Sequence, residues 1–62
     1  MEDFKLKAIE IKDRMLAFTE YEQICDAIIA VDYVQENYLG KNWQVEFWDK
    51  VRNYLIELRD AI

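Results

Sequence analysis

Residues 14–22, Arg14-Met15-Leu16-Ala17-Phe18-Thr19-Glu20-Tyr21-Glu22, decide whether this chain makes one long arm or two separate helices. Thr19-Glu20-Tyr21-Glu22 has the form of a capping box. The Thr hydroxyl accepts the amide three residues on, and the Glu carboxylate reaches back to the Thr amide. Before this segment, Phe4, Ala8, Ile11, Met15 and Phe18 step by four and three along one apolar stripe. After it, Tyr21, Ile24, Ala27, Ile28, Val31, Val34 and Tyr38 form a second stripe. On an unbroken helix the two stripes would face roughly opposite ways, about 180° apart. A drift of roughly 20° per heptad cannot absorb that turn. The spacing therefore predicts a break or strong kink near Thr19. No Gly or Pro enforces it, so a single helix from 3 to 39 is the alternative, in which Leu6, Ile9 and Leu16 extend the second stripe.

Working outward, Asp3 is placed to cap the first helix, and Leu39-Gly40-Lys41-Asn42 reads as a turn. Gly40 suits the left-handed residue that ends a helix, and Asn42 suits the cap of the next. Beyond it Trp43, Phe47, Trp48, Val51, Tyr54, Leu55, Leu58 and Ile62 cover a broad apolar arc. Helical spacing continues throughout, with no Pro and one Gly to interrupt it. The expectation is all-α: one domain over 1–62 with helices at about 3–18, 20–39 and 43–61. They form a small three-helix bundle or a kinked helical hairpin. Trp43 and Phe47 are expected to pack on Phe4, Met15 or Phe18. Trp48 and Tyr38 are expected to be partly exposed, and Cys25 to border the core. The aromatic run Trp43, Phe47, Trp48 and Tyr54 reads as core rather than as a stacking platform.

Chain length limits what such a bundle can hide. A chain of 62 residues, 53% of them apolar, buries only about 60% of the surface its unfolded form exposes. Each helix also carries apolar residues opposite its core stripe: Leu6, Ile9 and Leu16 in the first, Ile29 and Tyr33 in the second, Val45 and Ile56 in the third. These patches point to assembly, most simply a two-fold homodimer, with Leu6, Ile9, Leu16, Val45 and Ile56 as the oligomer interface.

Missing residue types narrow the chemistry further. The chain has no His, Ser or Pro, and one each of Thr, Gly and Cys. Ser-His-Asp or Cys-His catalysis, zinc sites, disulfides and Gly-rich phosphate loops all lack their parts. No catalytic residue, cofactor or metal is expected, and no enzyme. The longest apolar run, Ala27-Ile28-Ile29-Ala30-Val31, is far short of the roughly 20 residues of a membrane span. A lone Cys suits a reducing compartment, so the expected location is cytoplasmic. The initiating Met and the absence of a tail suit a complete short reading frame.

The net charge of −5 conceals its placement. Residues 1–18 hold four acids (Glu2, Asp3, Glu10, Asp13) and four bases (Lys5, Lys7, Lys12, Arg14). Residues 40–62 are balanced in the same way. The expected second helix holds Glu20, Glu22, Asp26, Asp32 and Glu36 with no base. On a helical wheel Glu22, Asp26, Asp32 and Glu36 fall within about 120°, with Ile29 and Tyr33 inside the arc. This pattern suggests a small acidic interaction module, a regulator, adaptor or inhibitor that docks a basic protein surface through Glu22, Asp26, Ile29, Asp32, Tyr33 and Glu36. Two alternatives are a structural homo-oligomer whose acidic helix stays wet, and a mimic of nucleic acid that blocks a nucleic-acid-binding protein. Direct binding of nucleic acid is not expected, because phosphates call for clustered Lys and Arg. No membrane partner is expected either.

Overall fold

The computed structural model describes residues 3–37 and 42–62, with side chains throughout except at 42–44. Three helices follow one another in the chain: α1 (Phe4–Asp13), α2 (Glu20–Asn37) and α3 (Asn42–Asp60). Each touches the other two. Among the described residues there is no strand. The fold is thus an all-α three-helix one, and both the single 3–39 helix and the kinked hairpin are set aside. The turn expected at Leu39-Gly40-Lys41-Asn42, the exposure expected of Tyr38 and the packing expected of Trp43 lie outside the described residues.

Capping chemistry sets both early helix starts. Asp3 is extended, and its carboxylate accepts the amides of Lys5 and Leu6. Its carbonyl accepts the Lys7 amide at 3.2 Å, the first turn of α1. At α2 the Thr19 hydroxyl accepts the Glu22 amide at 3.1 Å and donates to the Glu22 carboxylate at 3.1 Å. The Thr19 carbonyl takes the Gln23 amide. The cap is the expected one with a single change: the carboxylate meets the Thr hydroxyl rather than its amide. Glu20 and Glu22 in this first turn also complement the positive end of the helix dipole.

The first helix is shorter than expected, ending at Asp13 rather than near 18. Its last turn tightens, with the amides of Arg14 and Met15 bonding three residues back to Ile11 and Lys12. The Met15 carbonyl, which a continuing helix would offer to Thr19, instead accepts the Gln23 side chain at 3.2 Å. Met15 packs partly against the core, but Phe18 stands fully exposed. The expected stripe stops one step short because the chain leaves the helix before Phe18 can turn inward.

The core lies where the three helices meet. Ala8 of α1, Ile24, Ala27, Ile28 and Val31 of α2, and Val51 and Leu55 of α3 are buried. Four of these fall on α2 at steps of three, one and three, as the second stripe predicts. Burying each of Ile24, Val31, Val51 and Leu55 stabilises the fold by roughly 1.5–3 kcal/mol relative to leaving it in water. Around them, Phe4, Ile11, Met15, Phe47, Trp48, Tyr54, Ile56 and Leu58 are half-buried. Phe4 meets Tyr54 edge-on, with ring centroids 6.2 Å apart. Phe47 packs edge-on against Trp48 rather than making a ring pair with Phe4 or Phe18. Cys25 borders the core half-buried, and Trp48 is partly exposed, both as expected. Tyr21 and Ile62, expected in the core, are exposed. Tyr21 lies in the first turn of α2, and Ile62 lies two residues past the end of α3.

Candidate docking face on the acidic helix

The face of α2 turned away from the core carries Glu22, Asp26, Ile29, Tyr33 and Glu36, at steps of four, three, four and three. Such steps keep residues on one side of a helix. All five are exposed, and Ile29 keeps 64% of its surface in water. The core residues Ile24, Ala27, Ile28 and Val31 hold this face outward by occupying the opposite side. Near the C-terminal end, Asn37 Nδ2 donates to the Tyr33 carbonyl at 2.9 Å, which satisfies a carbonyl of the last turn.

The neighbouring helices supply bases that α2 itself lacks. Lys12 Nζ of α1 stands 3.8 Å from Glu20, and Arg52 Nε of α3 stands 2.6 Å from Asp32 Oδ1. Arg52 Nε is buried without an aligned hydrogen bond, so its contact with Asp32 is one of charge and proximity. Asp32 is therefore half-buried at the edge of the face, tied to α3, and not the open carboxylate expected of it. Gln35 adds a second tie to α3 by donating to Asp49 at 2.6 Å. No described base pairs with Asp26 or Glu36, and among the described residues the Glu22 carboxylate meets the Thr19 hydroxyl of its own cap. Three negative charges thus share the helix face of the exposed Ile29, Glu22 and Asp26 before it and Glu36 after it.

The expected oligomer residues separate into three environments. Leu6, Ile9 and Val45 are exposed on α1 and α3, as expected. Ile56 is half-buried against the core, because the arc that α3 turns toward two helices is broad enough to include it. Leu16 is not on a helix face. It lies in the connection between α1 and α2 and, like Phe18, is 100% exposed. Leu16 and Phe18 edge an open hollow of about 480 Å³, shared with Asp13, Met15, Ala17 and Gln23. The sequence stripe assigned Phe18 to the core. The signal against that assignment is the cap at Thr19, which requires non-helical chain just before it.

Other chemistry has little to work with on this surface. Among the described residues no group of three His, Cys, Asp or Glu side chains is placed to hold a metal ion. No described helix is long and apolar enough to cross a membrane. No family model matches the chain, and neither a curated protein nor a solved structure is significantly similar to it.

Proposed function

We propose that this protein is a small cytoplasmic interaction module, a regulator, adaptor or inhibitor, that docks a basic protein surface through the outer face of α2. The observation that carries this reading is Ile29, 64% exposed on a helix face that also carries Glu22, Asp26 and Glu36, which no described base neutralises. A central apolar residue supplies burial on contact, and the surrounding charge favours and speeds encounter with a basic surface. The face recognises protein rather than nucleic acid, whose phosphates it would repel. Two of the five carboxylates on α2 already meet Lys12 and Arg52, which leaves few for imitating a phosphate backbone.

The test is a photo-crosslinker at position 29, used in cells to trap the partner. Binding of the purified partner is then compared for the wild type and for an Asp26→Lys, Glu36→Lys double variant. The partner is expected to present Lys and Arg at the crosslink. The double variant should bind at least tenfold more weakly, with most of the wild-type affinity lost at high salt. A partner that binds both forms equally, or that presents acids there, overturns the reading.

A further inference from the structure

The connection at residues 14–19 bends the chain, yet its sequence is suited to a helix. It has neither Gly nor Pro, and Met15, Leu16 and Ala17 rank among good helix formers. The amides of residues 16–19 find no described acceptor in the bent form. In a continuous helix they would bond to the carbonyls of Lys12, Asp13, Arg14 and Met15. What holds the bend is the Thr19 cap, the Gln23 bond to the Met15 carbonyl and the docking of Phe4, Ala8, Ile11 and Met15 on α2 and α3.

The apolar residues that this bend leaves in water have a register of their own. Leu6, Ile9 and Leu16 each precede a residue of the inward side of α2 by 18 positions: Ile24, Ala27 and Val34. Eighteen residues are five turns at 3.6 residues per turn. If α1 and α2 joined as one helix, all three would stand on the line of the α2 core stripe, extending it five turns toward the N-terminus. Glu10 and Asp13, five turns before Ile28 and Val31, would stand on the same line, so the extended seam holds two carboxylates among its three apolar residues. Glu10 keeps its pairs with Lys7 and Arg14 there, because these are within-helix spacings. In the bent chain the same residues are wasted: Leu6 is 66% exposed and Leu16 wholly so.

We propose that a second copy of this chain occupies that seam, through a swap in which the 14–19 connection straightens. One chain then carries a helix from about residue 4 to 37. Its Phe4, Ala8, Ile11 and Met15 take the place on the partner's α2 and α3 that they hold at home. The core contacts are thereby kept, between chains instead of within one. Near the two-fold axis Leu6, Ile9 and Leu16 meet their counterparts. The occupant is set by this double register. One stripe of α1 fits the α2–α3 surface that only a copy of this chain provides, and the other becomes continuous with the core only when the hinge is open. The outer face of α2 plays no part, so this dimer stands or falls independently of the docking reading.

Straightening changes the size of the molecule. The folded chain is 34 Å in its longest dimension, whereas residues 5 and 36 on a continuous helix are about 47 Å apart. The experiment places spin labels on Lys5→Cys and Glu36→Cys in a Cys25→Ala chain, diluted with unlabelled chain so that only distances within one chain are read. Light scattering behind a sizing column separates monomer from dimer, and the distance is measured in each. In the dimer it is expected near 47 Å, and in the monomer below 34 Å. Thr19→Ala removes the cap that the straight form does not use, and two caps are lost per dimer. It should tighten dimerisation by roughly 30-fold. Ala17→Pro breaks only the straight helix, since the Ala17 amide has no acceptor in the bent one. It should give a helical monomer. A dimer whose labels lie within 34 Å, a dimer that survives Ala17→Pro, or wild-type and Thr19→Ala chains that stay monomeric up to their solubility limit would each overturn the proposal. The label distance decides by itself if Ala17→Pro fails to fold.

Discussion

Arg52 of α3 reaches across to α2 and sets its Nε 2.6 Å from Asp32 Oδ1, the shortest ion pair described between the helices. Both side chains keep about two-fifths of their surface in water, so solvent screens the pair and its net contribution is about 0.5 kcal/mol. Its importance lies in dividing the carboxylates of α2 into a structural one and open ones.

Charge reversal should expose that division. Asp32→Lys sets two cations together beside a buried Nε that has no aligned acceptor, and is expected to destabilise the fold by about 1–2 kcal/mol. Asp26→Lys, on the open face with no described partner, should leave stability within about 0.5 kcal/mol. Urea denaturation followed by circular dichroism compares them. Equal losses would mean that Arg52 does not hold Asp32.

Phe18 and Leu55 give a sharper contrast, because the first stripe and the arc of the third helix predict the same fate for both and the structure separates them. Leu55→Ala empties a site with no solvent exposure and should cost about 2–5 kcal/mol. The whole stability of a domain this size is about 3–5 kcal/mol, so the variant should be largely unfolded at room temperature. Phe18→Ser removes a ring that is fully in water and should change the thermal midpoint little. A large loss from Phe18→Ser would return that ring to the core.

These contrasts mark what the residues reveal unaided. Asp3 and Thr19 declare the helix starts, because capping uses atoms within three residues of each other. The stripe from Ile24 to Val31 declares its face because four burials repeat at helical steps. The end of α1 is hidden, since Met15, Leu16 and Ala17 favour helix locally. Part of what holds the bend, the Gln23 side chain on the Met15 carbonyl, comes from eight residues away. The candidate face is legible in outline for a similar reason: Glu22, Asp26, Ile29, Tyr33 and Glu36 share one helix. Which carboxylates are open is not legible there, as Lys12 and Arg52 arrive from other helices. Half-burial of Ile56 is likewise a product of where two other helices sit.

The cap at Asp3 is a local device whose loss should be correspondingly contained. Its carboxylate accepts two amides at the start of α1, from Lys5 at 2.9 Å and Leu6 at 3.3 Å. Asp3→Ala should cost about 1 kcal/mol, and Asp3→Asn or Asp3→Ser much less, because a neutral oxygen still accepts the amides. Hydrogen exchange should show the difference as faster exchange in the first turn of α1, with α3 unchanged. A uniform loss of protection would mean that α1 folds only with the whole bundle.

A final prediction concerns the apolar cleft of about 180 Å³ lined by Ile11, Ala30, Val31, Val34 and Trp48. It lies where α1, α2 and α3 converge, and Ala30 is the smallest of its side chains. Space beside a partly exposed alanine forfeits contacts that a longer side chain would make with Ile11 and Trp48. Leu has nearly the helix propensity of Ala, so Ala30→Leu adds apolar volume at little backbone cost and should raise stability by about 0.5–1 kcal/mol. Ala30→Val tests the same space with a side chain that is stiffer in a helix, and should gain less. If both variants are destabilised, the cleft is narrower than its walls imply, and α1 packs against α2 without slack.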